Sequence, residues 1–199
     1  MANETNQTPK LKSDQSSKII IVTHPELASS STISHTVKDK YLEDLLLDSK
    51  VEQFNNIREQ NHYVRLDLHA INLSYTSLSG ANLSDTDLTK ADLIGANLIG
   101  AKLVGANLSA ANLNQANLDR AELRTANVAE ADFAGANLQF ADLYCVENLY
   151  DSNLRGTDLR NAIDLPISKG EARRKGATVV GCKICSFNCN VWKVIAYTK

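Results

Sequence analysis

The sequence lacks long apolar runs, a strong net charge and an apolar N-terminal segment. No stretch approaches the ~18 apolar residues that a membrane-spanning helix requires, and residues 1–17 have no apolar core like that of a secretory signal. The formal net charge of −2 over 199 residues argues against a protein that binds nucleic acid through its overall charge. These absences predict a cytoplasmic protein without membrane or direct nucleic-acid contact. They favour thiols over disulfides for its four cysteines.

Familiar catalytic motifs are missing as well. The four histidines do not cluster along the chain, and three of them precede residue 63. The sequence contains no nucleophile elbow, phosphate-binding loop or zinc-protease motif. We therefore predict that the protein is not an enzyme and binds no cofactor.

What the sequence does contain is a five-residue repeat. From Leu68 to Leu143 every fifth residue is leucine, except Val128 and Phe133, which makes sixteen consecutive units. A period of five matches neither the 3.6 residues of a helical turn nor the two-residue alternation of a strand. Each unit must therefore combine one short extended piece with one turn, and this predicts a solenoid.

The residue types within the unit indicate which side chains face inward. The central leucine and the alanine two positions before it are expected inside. Asn or Asp between them can hydrogen-bond to nearby backbone. Glycine two positions after the leucine fits a corner that needs a positive φ angle. The glycines at this position are Gly80, Gly95, Gly100, Gly105, Gly135 and Gly156.

The repeat changes phase once. After Leu143 the pattern slips by one residue, and Leu149, Leu154 and Leu159 continue it, which brings the total to nineteen units. The extra residue is expected within residues 146–148, as a bulge tolerated at a corner.

The Ala-(Asp/Asn)-Leu-X-X unit over residues 66–161 resembles that of the pentapeptide-repeat proteins. This resemblance implies an all-β solenoid, a right-handed quadrilateral parallel β-helix with four units per coil and one unit per face. At the usual ~4.8 Å strand spacing, nineteen units would give a rod ~23 Å long. The flanking segments 51–60 and 165–172 resemble those of cyanobacterial members.

We divide the chain into four segments. They are a disordered tail at 1–17, a strand and helical capping region at 18–62, the pentapeptide-repeat β-helix at 63–165, and a capping helix with a cysteine-containing basic tail at 166–199. Composition supports the first assignment, and the end of the repeats at Pro166 supports the last.

Two amphipathic helices are predicted before the repeats. Lys18–Val22 is a possible short strand, and residues 37–48 carry apolar side chains at helical spacing. A second helix is expected after Ser49, which forms a capping-box pattern with Glu52. The pair is interpreted as an end cap that covers apolar core and unpaired strand edges. The alternative is a partner-binding or dimerising helix pair.

A short basic helix is predicted after the repeats. Ser168 and Glu171 form a second capping-box pattern, and Gly176 is expected at the end of this helix.

The tail beyond that helix carries Cys182, Cys185 and Cys189. Closely spaced thiolates can hold zinc or an iron–sulfur cluster, but three ligands are one short of a closed structural site. Cys145, at an outward corner, could supply a fourth ligand only if the tail folded back. We favour buried or free thiols, with a disulfide as the second reading and a metal site as the third.

Function is expected to lie in the outward side chains. Ile94, Ile99 and Val104 follow the central leucine in three successive units and form a partial hydrophobic belt. The belt lies either under a flanking segment or at a contact with a partner or a second copy. Phe140 and Tyr144 are expected to lie under the C-terminal helix.

The favoured function is a non-catalytic scaffold or protein-interaction module whose partner is another protein. The family resemblance suggests two alternatives, a DNA mimic that binds DNA gyrase or topoisomerase and a regulator of a cyanobacterial process. Charge argues against mimicry. Residues 66–165 carry a net charge of −7, whereas a ~23 Å length of DNA carries about −14 at one charge per ~1.7 Å.

Overall fold

The computed structural model describes residues 36–61 and 64–184. The regular elements in chain order are β1 (Thr36–Val37), α1 (Lys40–Leu47), α2 (Val51–Gln60), β2 (Arg65–Leu66) and α3 (Lys169–Arg174). β1 and β2 pair in parallel. The tail predicted at 1–17 and the strand predicted at 18–22 lie outside the described residues.

Residues 67–163 form a ladder of isolated parallel bridges. Most bridges join a residue to the one twenty positions later, as between Asn72 and Asp92 or between Asn97 and Asn117, and the last three span twenty-one. Twenty residues per coil correspond to four five-residue units. Each unit contributes a single bridge between two turns, so the region is a β-helical solenoid although it contains almost no continuous strand.

The core is a stack of leucine and alanine. The central leucines from Leu68 to Leu159 are at most 3 % exposed, and the alanines two positions before them are equally buried. Val128 and Phe133, which replace leucine, are fully buried in consecutive units. Leucine and alanine thus face inward as predicted, because the turn of each unit directs both side chains toward the axis.

Every corner of the sixteen in-phase units has a positive φ angle. The corner residues run from Ala70 (φ 55°) to Cys145 (φ 54°) and include five glycines and eleven other residues. The expected positive φ at the glycine corners is confirmed. The corner imposes the left-handed conformation on any residue there, although a β-carbon costs about 1–2 kcal/mol in that region.

The positive φ of the corner predicts opposite changes in the free energy of unfolding for a glycine-to-alanine and an alanine-to-glycine substitution. Gly100 has φ 61°, and no atom lies within 4 Å of a β-carbon added there, so Gly100→Ala should lower the free energy of unfolding by about 1 kcal/mol through backbone strain alone. Ala110, at the same corner position with φ 55°, should give the opposite sign when changed to glycine. Urea denaturation measures both, and equal signs would show that the corner is not strained.

The phase shift is taken up at Asn148. Glu147 still pairs with Asn127 at a separation of twenty, whereas Asn153 pairs with Asp132 at a separation of twenty-one. Asn148 lies between them with φ 61°, and its Nδ2 donates to Oδ1 of Asn127 at 2.7 Å. The extra residue therefore lies within the predicted stretch and keeps a contact with the preceding coil.

The N-terminal helices differ from the sequence prediction in two details. Val37 lies in β1 and pairs with Leu66, and α1 begins after an Asp39 N-cap, because pairing with the first coil overrides the helical pattern at Val37. The capping box predicted for Ser49 and Glu52 is wrong. Lys50 is the N-cap residue of α2 and makes no side-chain cap bond, while the Ser49 hydroxyl accepts from the Ser77 N–H at 3.2 Å.

Helix α2 contacts the first coil through Phe54, Asn55 and Arg58. Phe54 is fully buried. The Asn55 amide donates to the Gly80 carbonyl at 2.9 Å and accepts from the Asn82 N–H at 2.8 Å. The helix is thus held to the solenoid by side chains that bond to its backbone.

Arg58 makes the largest of these polar contacts. It is 3 % exposed, and its guanidinium donates to the carbonyls of Val64 at 2.7 Å, Ser84 at 2.5 Å and Asn82 at 3.4 Å. Burial lowers the pKa of this guanidinium below its usual value. All three acceptors are backbone oxygens. The buried contacts of Arg58 are therefore hydrogen bonds to backbone carbonyls and not an ion pair.

The short C-terminal helix follows the prediction closely. The Ser168 hydroxyl accepts from the Glu171 N–H at 3.1 Å, and Gly176, with φ 87°, follows the last residues of α3. The Glu171 carboxylate pairs with Arg174. In the described part of the chain, no helix is long and apolar enough to cross a membrane.

Candidate interaction surface

The outward side chains form columns along the solenoid because residues twenty apart lie in adjacent coils. Ile94, Ile99 and Val104 lie on three successive faces of the second coil, and each is half-buried. In the coil before them, the same three columns carry Ser74, Ser79 and Ser84. The change from serine to aliphatic side chains therefore occurs on three faces at the same coil.

Tyr75 is an exposed aromatic side chain that sequence reasoning missed. It is 79 % exposed at a corner with φ 58°. Its ring lies over Gly95, where a β-carbon would stand 2.6 Å from Cε1 of Tyr75. The signal in the sequence was a tyrosine exactly one coil before a glycine at the same corner, beside Ile94.

A second group of large side chains lies farther along the solenoid. Phe140 is 42 % exposed and Tyr144 is 37 % exposed, so the expectation that the C-terminal helix covers them is wrong. Gly176, two residues after the end of α3, instead accepts a hydrogen bond at its carbonyl from the Gly156 N–H at 3.0 Å. The Arg120 guanidinium stacks 5.1 Å from the centre of the Phe140 ring.

Ion pairs between neighbouring side chains interrupt the acidic surface. Arg124 binds Asp142 at 2.5 Å, Arg160 binds Asp158 at 2.7 Å, and Arg120 binds Asp119. The Arg160 guanidinium lowers the pKa of the Asp158 carboxyl. These pairs locally neutralise three of the thirteen acidic side chains of residues 66–165.

The cysteines do not form a metal site in the described part of the chain. Cys182 is a buried free thiol whose Sγ donates to the Leu159 carbonyl at 2.7 Å, and burial raises its pKa. Cys185 and Cys189 lie outside the described residues. Within residues 36–61 and 64–184, no three His, Cys, Asp or Glu side chains are grouped to hold a metal ion.

Cys145 corrects the expectation of thiols. It is disulfide-bonded and lies at a half-buried corner of the solenoid. Disulfides are typical of oxidising compartments. The cytoplasmic location remains a prediction, and this bond does not support it.

Comparisons with known proteins agree with the repeat geometry. A family model described as pentapeptide repeats (8 copies) matches residues 67–103, 91–127, 101–139 and 122–161. Proteins with these repeats form right-handed quadrilateral β-helices, and the fold generally serves as a scaffold or interaction surface. No curated protein matches the chain.

Three solved structures illustrate the similarity. A pentapeptide repeat protein from the thylakoid lumen of Arabidopsis thaliana is 28 % identical over 58 % of this chain and 79 % of its own, with a TM-score of 0.48. HetL, a pentapeptide repeat protein involved in heterocyst differentiation regulation from the cyanobacterium Nostoc, is 27 % identical over 59 % of this chain and 61 % of its own, with a TM-score of 0.27. Rfr23, from the cyanobacterium Cyanothece, is 25 % identical over 61 % and 82 %, with a TM-score of 0.30. Through the repeats of residues 67–161, the chain belongs to the pentapeptide-repeat proteins.

Proposed function

We propose that this protein is a non-catalytic scaffold that binds another protein on the side of its solenoid, with the right-handed quadrilateral form of its family. The observation that carries the proposal is the belt of Ile94, Ile99 and Val104, which follows a coil with serine in the same columns. The interior offers no alternative, because leucine and alanine fill it at 0–3 % exposure. Binding must therefore use outward side chains.

Tyr75 extends the belt toward the N-terminal end. Its exposed ring lies against Gly95, directly after Ile94 in the chain. Exposed tyrosine beside aliphatic side chains is typical of the anchors of protein interfaces. The hydrogen bonds from α2 to the first coil extend to Ser84, one coil before Val104. This helix therefore reaches the coil next to the belt.

The helical pair is best explained as an end cap. Within the ladder, the residue before each central leucine donates to a carbonyl of the preceding coil, as Lys102 N–H does to Ala81 at 2.9 Å. At the first coil, Ser77 and Asn82 have no preceding coil, and their N–H groups donate to Ser49 and Asn55 instead. The side chains thus act as substitutes for missing backbone.

The partner surface is tested by replacing the belt with the side chains of the preceding coil. The triple variant Ile94→Ser, Ile99→Ser, Val104→Ser introduces the residue type that the preceding coil already has in these columns. We therefore expect the fold to persist. Retention of partner proteins from native lysate, quantified by mass spectrometry, should fall at least tenfold, the effect of losing about 1.4 kcal/mol of binding energy.

A matched control changes Ala129 and Ala134, which occupy the same position on the distal coil, to serine. Partners retained equally by all three proteins would remove the belt from the interface. Thermal unfolding of each variant separates a lost surface from a lost fold.

The charge distribution does not favour a DNA mimic. The central column of one face runs Asn82, Lys102, Glu122, Asp142 and Ile163, which is no continuous line of negative charge. Inhibition of DNA supercoiling by gyrase at sub-micromolar protein would revive this alternative. Regulation of a cyanobacterial process stays a further alternative, which the identity of a captured partner would test.

A further inference from the structure

The geometry points to head-to-tail association of copies of this chain, in which one open face of the last coil of one copy pairs with one open face of the first coil of the next. This inference concerns the ends of the solenoid, not its side, and holds whether or not the belt binds a partner. It depends on two open backbone edges whose hydrogen-bonding groups are complementary.

The ladder defines what a complete junction between coils requires. On one face, the N–H groups of Leu93 and Gly95 donate to the carbonyls of Asn112 and Asn114 at 2.8 and 2.9 Å, and the Asn112 N–H donates back to Ala91 at 2.9 Å. Each junction therefore needs two donors and one acceptor on the upper coil. It needs two acceptors and one donor on the coil below.

Within the described residues, the first coil has an unpaired backbone edge on the face that contains Asn72 and Ser74. These residues occupy the ladder positions of Asn112 and Asn114 two coils earlier. Among the described residues, none donates to the carbonyls of Asn72 or Ser74 and none accepts from the Asn72 N–H. The cap contacts lie on the next two faces, at Ser77 and beyond. This edge offers two acceptors and one donor.

In the part of the chain that the structure describes, the last coil has an unpaired backbone edge on the face that contains Ala177 to Gly181. Thr178 bridges to Asp158 in the coil before it. On the opposite side, the N–H groups of Val179 and Gly181 and the carbonyl of Ala177 bond to no described residue. These three groups occupy the ladder positions of Leu93, Gly95 and Ala91. This edge offers two donors and one acceptor, the complement of the first edge.

Side chains and charge favour the same pairing. An exposed apolar residue stands next to each edge in the chain, Tyr75 at 79 % exposure after Ser74 and Val180 at 64 % between Val179 and Gly181. Residues 36–83 contain five basic and seven acidic side chains, a net charge of −2, whereas residues 148–184 contain seven basic and four acidic side chains, a net charge of +3. An unpaired strand edge is a template for pairing with another chain, and a head-to-tail contact does not close on itself.

Edge-blocked variants of the full chain test the inference by sedimentation over a concentration series. A lysine beside a strand edge blocks pairing, so Tyr75→Lys should block the first edge and Val180→Lys the last. The average mass of the unmodified protein should rise with concentration above the 21.7 kDa of one chain and continue past the dimer. Each variant alone should stay monomeric, whereas their equimolar mixture should form dimers and stop there, because each contributes one working edge.

The control Tyr144→Lys, on the side of the solenoid at 37 % exposure, should associate like the unmodified protein. Circular dichroism shows that each variant is folded. Monomers at every concentration of the unmodified protein would overturn the inference. Dimers of Tyr75→Lys alone would also overturn it, because they would indicate a two-fold contact between last coils.

Amide exchange gives a second test without substitutions. The Val179 and Gly181 amides should exchange several-fold more slowly as the protein concentration rises. The Val180 amide is not one of the two donors of this edge, so its exchange rate should not depend on concentration in this way. Equal rates at all concentrations would contradict the proposed junction. The triple-serine variant of the belt should associate normally, which separates this contact from the partner surface.

Discussion

Changing Arg58 to alanine should lower the free energy of unfolding by roughly 3–5 kcal/mol. The substitution leaves the carbonyls of Val64 and Ser84 without their donor at the buried junction between α2 and the first coil. Each buried group that loses its partner costs about 1–3 kcal/mol, and the packing of the side-chain stem is lost as well. Urea denaturation followed by circular dichroism measures the change.

Arg124 provides the matched control for this prediction. It is an exposed arginine that pairs with Asp142 on the side of the solenoid, and ion pairs of this kind contribute little to stability. Arg124→Ala should therefore denature at nearly the same urea concentration as the unmodified protein. A similar loss from both substitutions would mean that Arg58 does not act through the buried carbonyls.

Changing Phe133 to alanine should destabilise the solenoid by a comparable amount, about 3–5 kcal/mol, because truncation of a fully buried phenylalanine leaves a cavity. Phe133 is 1 % exposed and lies in the unit directly after Val128, which is also buried. The measurement is again the free energy of unfolding in urea. Phe140→Ala removes the same ring from a half-exposed corner and should cost about 1 kcal/mol or less, since only an exposed cation–π contact is lost.

The neighbouring valine tests whether the two exceptions to the leucine repeat compensate in volume. Val128→Leu adds a methylene to a packed coil, and overpacking of this kind costs about 1–3 kcal/mol. Phe133→Leu removes volume from the next unit of the same coil. If the two side chains share space, the double variant should lose less stability than the sum of the single changes, whereas additive losses would show that they pack independently.

These predictions separate the middle of the solenoid from its ends. Every coil in the middle has a neighbour on both sides, so its backbone bonds follow from the repeat. The terminal coils lack one neighbour, and their backbone groups must be satisfied by side chains such as Asn55 and Arg58, by another molecule or by water. The N-terminal cap covers part of the first coil, and the head-to-tail inference depends on the face of Asn72 and Ser74, whose backbone edge bonds to no described residue.

The repeat determined most of the middle of this protein. A leucine at every fifth position, an alanine two before it and a turn residue two after it predicted the inward and outward side chains and the positive φ corners. It also placed the extra residue near Asn148. These features are local to a unit or repeat in every coil, so one unit of sequence contains the information.

Contacts between distant segments decided the rest. Ser49 fits the sequence pattern of a helix cap, yet its hydroxyl accepts from the Ser77 N–H, twenty-eight residues away. The Ser77 N–H has no preceding coil to bond to, and the Ser49 hydroxyl supplies the missing acceptor. Arg58 reads as one charged residue on an amphipathic helix, and only the fold places it against three carbonyls. Whether Ile94, Tyr75 and Phe140 are covered depends on where the flanking helices pack. That position is set by burial and hydrogen bonding between segments, for which the five-residue pattern carries no signal.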